Sequence, residues 1–487
     1  MSEKKNIIWI YVISVLFVLI NAVFIAQEQF LFALLPLGLV ALLFSLFALD
    51  KLILILVFLT PFSVSLSYIM PGQSFDMFLP TEPILLVVLL IFIIKLILEN
   101  NFDRKILNHP VSWAIYFNLF WMFITCISST YPSVSFKYLL VRMWFLASFY
   151  FLATQLFKDF KNINRYIWLY VISLCIVIIY TLARHSSYGF FDQEKANVVM
   201  IPFFKDHTIY GAILGMFVPI LAGFALNSWY YSARIRLLII SATVLILAAI
   251  IFSYTRAAWI SVAAAFALWA VMKLRIKYYF VLTGLVTIVS LYFVFETQII
   301  MELEQNRQDS SKNLTEHMQS ISNVSSDASN LERINRWKSA IRMFNEKPLM
   351  GWGPGTYQFN YAAFQSSNEK TIISTNAGDM GNAHSEYIGP LSESGVLGML
   401  SVLLIIGTAI YTALKLYSYT KDRKIKFISM ILLLSLTTYF LHGFLNNFLD
   451  TDKASAPFWG FIGILVAMDV YHNKKEKTDS DHEKVGT

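Results

Sequence analysis

The sequence predicts an all-α polytopic membrane protein with about fourteen transmembrane helices and one large outer loop containing short helices. Three observations carry this expectation. Apolar residues make up 57% of the chain and charged residues only 14%, against roughly 25% charged in ordinary soluble domains. The apolar residues fall in runs of about 17–25, the length that crosses a ~30 Å hydrocarbon core. Between Phe295 and Glu393 the runs stop and one long polar stretch takes their place.

The runs lie at 6–26, 30–48, 51–69, 80–98, 111–129, 137–157, 164–183, 208–227, 234–252, 256–273, 277–297, 393–416, 424–445 and 456–471. The first lacks a small-residue cleavage site and reads as a retained helix rather than a signal peptide. The third contains Pro61, which removes a backbone donor and predicts a kink. Basic residues gather in alternate connections, including Lys4 and Lys5, Arg104 and Lys105, Arg234 and Arg236, Lys273 to Lys277, and Lys421 to Lys426. The positive-inside rule then puts both termini in the cytoplasm and the long loop outside. The connection at 446–455, with Asp450, Asp452 and Lys453, falls on the outer face. The expected organisation is spans 1–11 within 1–297, the outer loop at 298–392, spans 12–14 within 393–472, and a disordered tail at 473–487.

Several classes are disfavoured. The net charge of +7 is dispersed through short loops, so nucleic acid is not an expected partner. Cys126 and Cys175 are the only cysteines and both lie in apolar runs, giving no disulfide framework or metal motif. No acidic metal-binding cluster stands out and no cofactor motif is present. No internal repeat is evident, which weakens a transporter reading.

Within the outer loop, 302–330 is polar and reads as a mobile segment. Ser329-x-x-Glu332 then has the spacing of a capping box, and a helix should run to about Glu346, before Lys347-Pro348. Ile334, Trp337, Ile341 and Phe344 form one apolar stripe on it, suited to the membrane surface. Arg333 sits at the stripe's edge and Arg336 farther round the polar face; simple solvated arginines are the alternative. Gly351 to Gly355 is a turn cluster in which Gly353 marks either a tight reversal or an anion cradle. His384 follows as a candidate base, with His185 and His207 as rivals. Arg256 stands at the mouth of a short outer turn, where it either snorkels or binds an anion. Arg142 falls inside the span after Lys137, and intramembrane charge is a functional hypothesis by default. Four arginines converging on one leaflet would suit bidentate recognition of a lipid-linked phosphate or pyrophosphate.

At SYTRAAW (253–259), RINRWKSAIRMFNEKPLMGWGPGTY (333–357) and AHSEYIGPLSESGVLG (383–398), the chain resembles the O-antigen ligase/polymerase superfamily of bacterial envelope enzymes. The family's outer-turn arginine corresponds to Arg256, its loop arginine to Arg333 with Arg336 close by, and its loop histidine to His384. Where the family usually has His-Asn, this chain has His384-Ser385. The resemblance implies glycan transfer from an undecaprenyl-pyrophosphate carrier, with inversion and without metal or cofactor. The protein would sit in the bacterial inner membrane with its active site facing the periplasm, among membrane lipids. His384 would take the proton of an acceptor hydroxyl, and Arg256 and Arg333 would stabilise the pyrophosphate leaving group. Arg142 would hold the distal phosphate, and Tyr387 would orient a sugar or simply pack. Glu386 and Glu393 are alternative bases or orienters of the histidine. A ligase would use a glycolipid acceptor such as lipid A-core, a polymerase a second lipid-linked repeat unit, and a third variant protein hydroxyls. A flippase or exporter is disfavoured, because apart from Arg142 the spans are largely free of charge.

Overall fold

The computed structural model describes residues 2–27, 48–72, 76–98, 102–277, 328–370 and 381–473, with scattered positions at 32–47, 279–295 and 374. Among the described residues, ten helices are long and apolar enough to cross a membrane. The chain is an all-α, multi-pass membrane protein. Its spans are α3 (Thr81–Leu98), α4 (Pro110–Ile127), α5 (Pro132–Leu156), α6 (Phe160–Ser186), α7 (His207–Leu226), α8 (Ala233–Phe252) and α9 (Arg256–Lys273), then α11 (Ile388–Tyr419), α12 (Arg423–His442) and α13 (Asp452–His472). Helices α1 (Ser2–Ala26) and α2 (Leu49–Leu59) precede them, and α10 (Ala328–Glu346) lies before α11. The expected runs at 30–48 and 277–297, the polar segment before Ala328 and the tail beyond Asn473 fall mostly or wholly outside the described residues.

The third expected run is corrected. It is not one helix: α2 ends at Leu59, a 3-10 turn covers Thr60–Phe62, and Val64–Ser65 pairs antiparallel with Phe78–Leu79. Pro61 removes the next donor, the Thr60 hydroxyl donates back to the Leu56 carbonyl at 2.8 Å, and the Ser63 carbonyl accepts from the Lys453 ammonium at 2.9 Å. The backbone groups of a continuing helix are therefore used elsewhere.

The connection 446–455 is also more buried than its composition implies. Asp452 and Lys453 are enclosed, with Asp452 accepting from the Thr81 hydroxyl at 2.6 Å and the Lys453 ammonium lying 4.5 Å from the Phe78 ring centre. A buried charge needs such partners, since removing one leaves the other stranded.

Helices α7 and α13 are the most enclosed of the bundle, and α7 packs against α8, α9 and α12. Pro457 inside α13 cannot donate to the Lys453 carbonyl one turn back, and the Tyr170 hydroxyl donates to that carbonyl instead at 2.8 Å. A neighbouring side chain thus satisfies a group that hydrocarbon could not. Helices α8 and α9 turn many apolar side chains outward, as lipid-facing helices do.

The two glycine-rich stretches meet at the head of α11. The Trp352 amide donates to the Ser392 carbonyl at 3.2 Å, Gly353 to Glu393 at 2.7 Å, and Val396 to Pro348 at 3.0 Å. α11 breaks there at Gly395, with φ 70° and ψ −168°. A side chain on Gly395 would come within 2.0 Å of the Leu349 carbonyl oxygen. On its other edge the same segment is pinned to the α4–α5 turn, where Thr130 N–H donates to the Trp352 carbonyl at 3.0 Å and the Ser135 hydroxyl to Pro354 at 2.8 Å.

Gly395→Ala is expected to lower stability by about 1–3 kcal/mol or more, because that backbone region is essentially closed to other residues. Gly407→Ala, in open helical surroundings with nothing within 4 Å, should raise it by about 0.5–1 kcal/mol. Thermal unfolding of both variants in detergent checks the pair; equal melting would show that the junction does not hold the loop.

Candidate active site

The polar face of α10, not its apolar stripe, makes the inner contact. Glu332, Asn335, Arg336, Ser339, Ala340 and Met343 are buried, while Ile341 is exposed and Ile334, Trp337 and Phe344 are only partly covered. Six residues at three- and four-residue steps define one buried face, opposite the apolar stripe expected at the membrane surface. The Ser329 side chain of the expected capping box lies outside the described residues. Glu332 accepts from the Arg336 guanidinium at 2.9 Å and from the Ser374 hydroxyl. Arg336 is not solvated: it is 6% exposed and held in that ion pair.

Arg336 shapes the histidine turn. It donates to the Asn382 carbonyl at 3.1 Å and lies 5.2 Å from the Tyr361 ring centre. Gly381 has φ 105°, and a side chain there would come within 1.9 Å of the guanidinium. The Asn382 side chain then accepts from the His384 amide at 3.0 Å. His384 itself adopts φ 48°, an uncommon conformation for a residue with a side chain and one concentrated at functional sites. Ser385, at the position where Asn was the expected neighbour, is buried and accepts from the Tyr387 and Ile388 amides at 3.3 Å each, capping the start of α11. Among the described residues, the His384 ring makes no hydrogen bond.

Arg333 and Arg256 arrive from different elements. The Arg333 guanidinium donates to the Leu445 carbonyl at 3.2 Å. Arg256 opens α9 after Tyr254, which has φ 52°. The Thr255 hydroxyl donates to the His207 carbonyl at 2.8 Å, and any side chain on Gly211 would collide with Thr255. This ties the turn to the start of α7, where Asp206 accepts from the Thr208 and Ile209 amides at 2.8 and 3.1 Å.

These groups act on one another. Burial, and then the charge of Arg256, pull Arg333 down to about 10, with Asp206 opposing. Burial, then Arg336 and Arg333, push His384 down to about 3, again with Asp206 opposing. His384 is thus neutral at physiological pH and has a proton-accepting nitrogen, but nearby cations weaken it as a base.

The four arginines do not form one cluster. Arg336 and Arg333 act on His384, and Arg256 acts on Arg333, whereas Arg142 is 8% exposed and lines a separate cavity beside Tyr138. Gly353 does not present its amide to a ligand, because that N–H is given to Glu393 and a side chain there would strike Ser129. Tyr387 is buried, donates to the Phe440 carbonyl at 2.7 Å and stacks on Phe444, so its ring rather than its hydroxyl faces the cavity. Neither Glu386 nor Glu393 orients His384: the first accepts from Tyr439, Phe448 and Leu449, the second from the Tyr357 amide. His185 is tied to the Asp192 carbonyl at 3.2 Å within its own loop.

Two residues at the site carried no distinct signal in the sequence. Asp206 resembles any helix cap, which it also is. His442 is buried at the end of α12, bonds Asn446 at 3.1 Å and feels both Arg333 and Asp206, yet its sequence position reads as ordinary helix.

An O-Antigen ligase family model matches residues 241–403, about a third of the chain. The matched segment holds Arg256, Arg333, Arg336, Gly353, Tyr387 and His384, while Arg142, Asp206 and His442 lie outside it. Over that segment the chain is similar to the O-antigen ligase family, which supports a ligase- or polymerase-type function. No match was found among curated proteins.

The depressed histidine has a consequence for acid stability. Its folded value of about 3 lies below the ordinary value of about 6.5, so the unfolded chain binds the proton more readily. This contribution to stability is complete above pH ~6.5 and is lost as pH falls toward ~3. Replacing His384 with Gln should therefore flatten the acid limb of a stability–pH profile measured by thermal unfolding; an unchanged limb would contradict the proposed electrostatics.

Proposed function

We propose that this protein is an O-antigen ligase-type glycosyltransferase that moves a glycan from undecaprenyl pyrophosphate to a glycolipid acceptor, with inversion and without a metal. The observation that carries this reading is the like-charged pair Arg256 and Arg333 held beside His384. Two guanidinium groups whose charges act on each other make a positive field at the partly buried site. That field suits a pyrophosphate.

In the proposed step, an acceptor hydroxyl oxygen attacks the anomeric carbon from the face opposite the leaving group. The new C–O bond forms as the bond to the pyrophosphate oxygen breaks. The hydroxyl proton passes to His384, and the charge left on the lipid pyrophosphate is met by Arg256 and Arg333. Donor binding would also strengthen the base. The anion neutralises the cations that depress His384, so its proton affinity rises toward the ordinary value once the donor is seated. Arg336 would act through position, by holding Asn382 and hence the turn that carries the histidine. The distribution of basic residues supports a site facing the periplasm of a bacterial inner membrane, with both termini cytoplasmic.

Complementation of ligase-deficient and polymerase-deficient strains, scored on lipopolysaccharide gels at equal protein level, tests the reading. Wild type should restore the ladder in the ligase-deficient strain. His384→Ala and Arg256→Ala should each lose activity by about 100-fold or more, in keeping with loss of a base or of transition-state charge stabilisation. Restoration only in the polymerase-deficient strain would make the acceptor a second lipid-linked repeat unit. Full activity of His384→Ala would sink the mechanism.

Arg336→Lys keeps the charge but loses the forked contacts to Glu332 and Asn382, and should lower kcat by about tenfold with donor KM little changed. A rise in donor KM alone would instead make Arg336 a direct donor ligand.

A further inference from the structure

The cavity beside Arg142 is built for a ligand that the histidine cluster does not take. It is a partly open space between α4, α5, α11, α12 and α13. Arg142 lines it, more than nine-tenths buried. Among the described residues, its single hydrogen bond is to the Tyr138 hydroxyl at 3.1 Å, leaving the rest of its five N–H donors open. A buried guanidinium with unused donors is costly unless something else meets it. Glu386 lines the same space: its three donors all meet Oε1, and among the described residues none meets Oε2.

The chemistry differs from that around His384. After Tyr138, the carboxylates Glu386 and Asp450 act on Arg142, whereas the charged groups acting on His384 are Arg336, Arg333 and Asp206. One cation among carboxylates repels a multiply charged pyrophosphate, but suits a sugar bearing a single anionic group. The rings of Trp121, Tyr138 and Trp459 supply the amphipathic surface that a sugar's C–H faces prefer. Farther along α11 the wall becomes apolar at Val402, Ile405 and Ile406, which suits the chain of a membrane lipid.

Resting on the transferase reading above, we propose that this cavity holds the acceptor glycolipid. A phosphate or carboxylate on its headgroup meets Arg142, a sugar hydroxyl donates to Glu386, and its chain lies along Ile405 and Ile406. Because His384 is only two residues before Glu386 in the chain, an acceptor seated there presents its hydroxyl next to the base. Donor and acceptor then occupy separate electrostatic compartments joined by the 384–386 turn.

The test uses the full-length protein in lipid nanodiscs with two synthetic glycolipids that differ only by a phosphate on the sugar. Wild type is expected to retain the phosphorylated probe about tenfold more tightly, and Arg142→Ala to erase the difference. Val402→Trp narrows the apolar end without touching the charge and should weaken both probes alike. Arg142→Lys, with thermal unfolding recorded for every variant, covers the case in which the alanine form does not fold. Equal retention of the two probes by wild type, or an unchanged preference in folded Arg142 variants, overturns the proposal.

A transfer assay separates this idea from the reading beneath it. Arg142→Lys should raise acceptor KM by about tenfold and leave donor KM unchanged; a rise confined to the donor overturns the acceptor assignment. Arg142-dependent binding in a protein that transfers nothing would sink the transferase reading alone. Competition by a polyprenyl-pyrophosphate saccharide would overturn the acceptor assignment, because the pocket is argued to reject a pyrophosphate; competition by a phosphorylated lipid A-type glycolipid would support it and identify a ligase.

Discussion

Two stretches of backbone come into direct contact where Gly351 and Gly353 meet Glu393, and Gly395 meets Leu349. No side chain fits in that contact, and the amide–carbonyl pairs across it replace the bonds that α11 gives up by breaking. Everything on the outer face is referenced to this joint. It fixes the GWGPG segment against the head of α11 and the α4–α5 turn. Through Tyr357, whose hydroxyl donates to the Arg336 carbonyl at 2.8 Å, it also fixes the depth and rotation of α10. A loop built on soft contacts would let the histidine turn drift by more than catalysis tolerates.

The second constraint is electrostatic. Arg336 has its charge matched by Glu332 and is spent on holding a turn. The charge of Arg256 acts on Arg333, with Asp206 opposing. On the proposed reading one arginine is structural and two serve the donor, although two of the three are only three residues apart in the chain. Burial first, and then the charges of Arg336 and Arg333, make His384 a poor base; on the proposed mechanism the donor's own charge would offset the second contribution. The base would then gain strength only when there is something to attack.

A separate compartment for the second substrate follows the same logic. Both ends of the reaction would bring anionic lipids to one leaflet, and a single basic patch would bind either in either place. On this proposal, the carboxylates near Arg142 would distinguish the two by charge density, and the turn at 384–386 would join the compartments without merging them.

The fold was largely legible in the sequence, because hydrocarbon imposes one rule on every span: twenty or so apolar residues with all backbone groups satisfied internally. That rule located the ten helices, and Pro61 marked the one expected span that fails. It also made His384, Arg256 and Arg333 stand out, as polar groups beside apolar runs. Periodicity placed the apolar stripe of α10 at the membrane surface but did not show that its other face is buried. In a loop lying on a membrane protein, apolar residues can face outward while Glu332, Asn335 and Arg336 are buried in a polar contact, so the usual inside–outside sign is lost. Which arginines share a site, why Gly353 packs rather than binds, and that Asp206 and His442 belong to the centre were decided only by tertiary structure. Each depends on segments far apart in the chain meeting at a few ångströms, and no local pattern of residues records such a meeting.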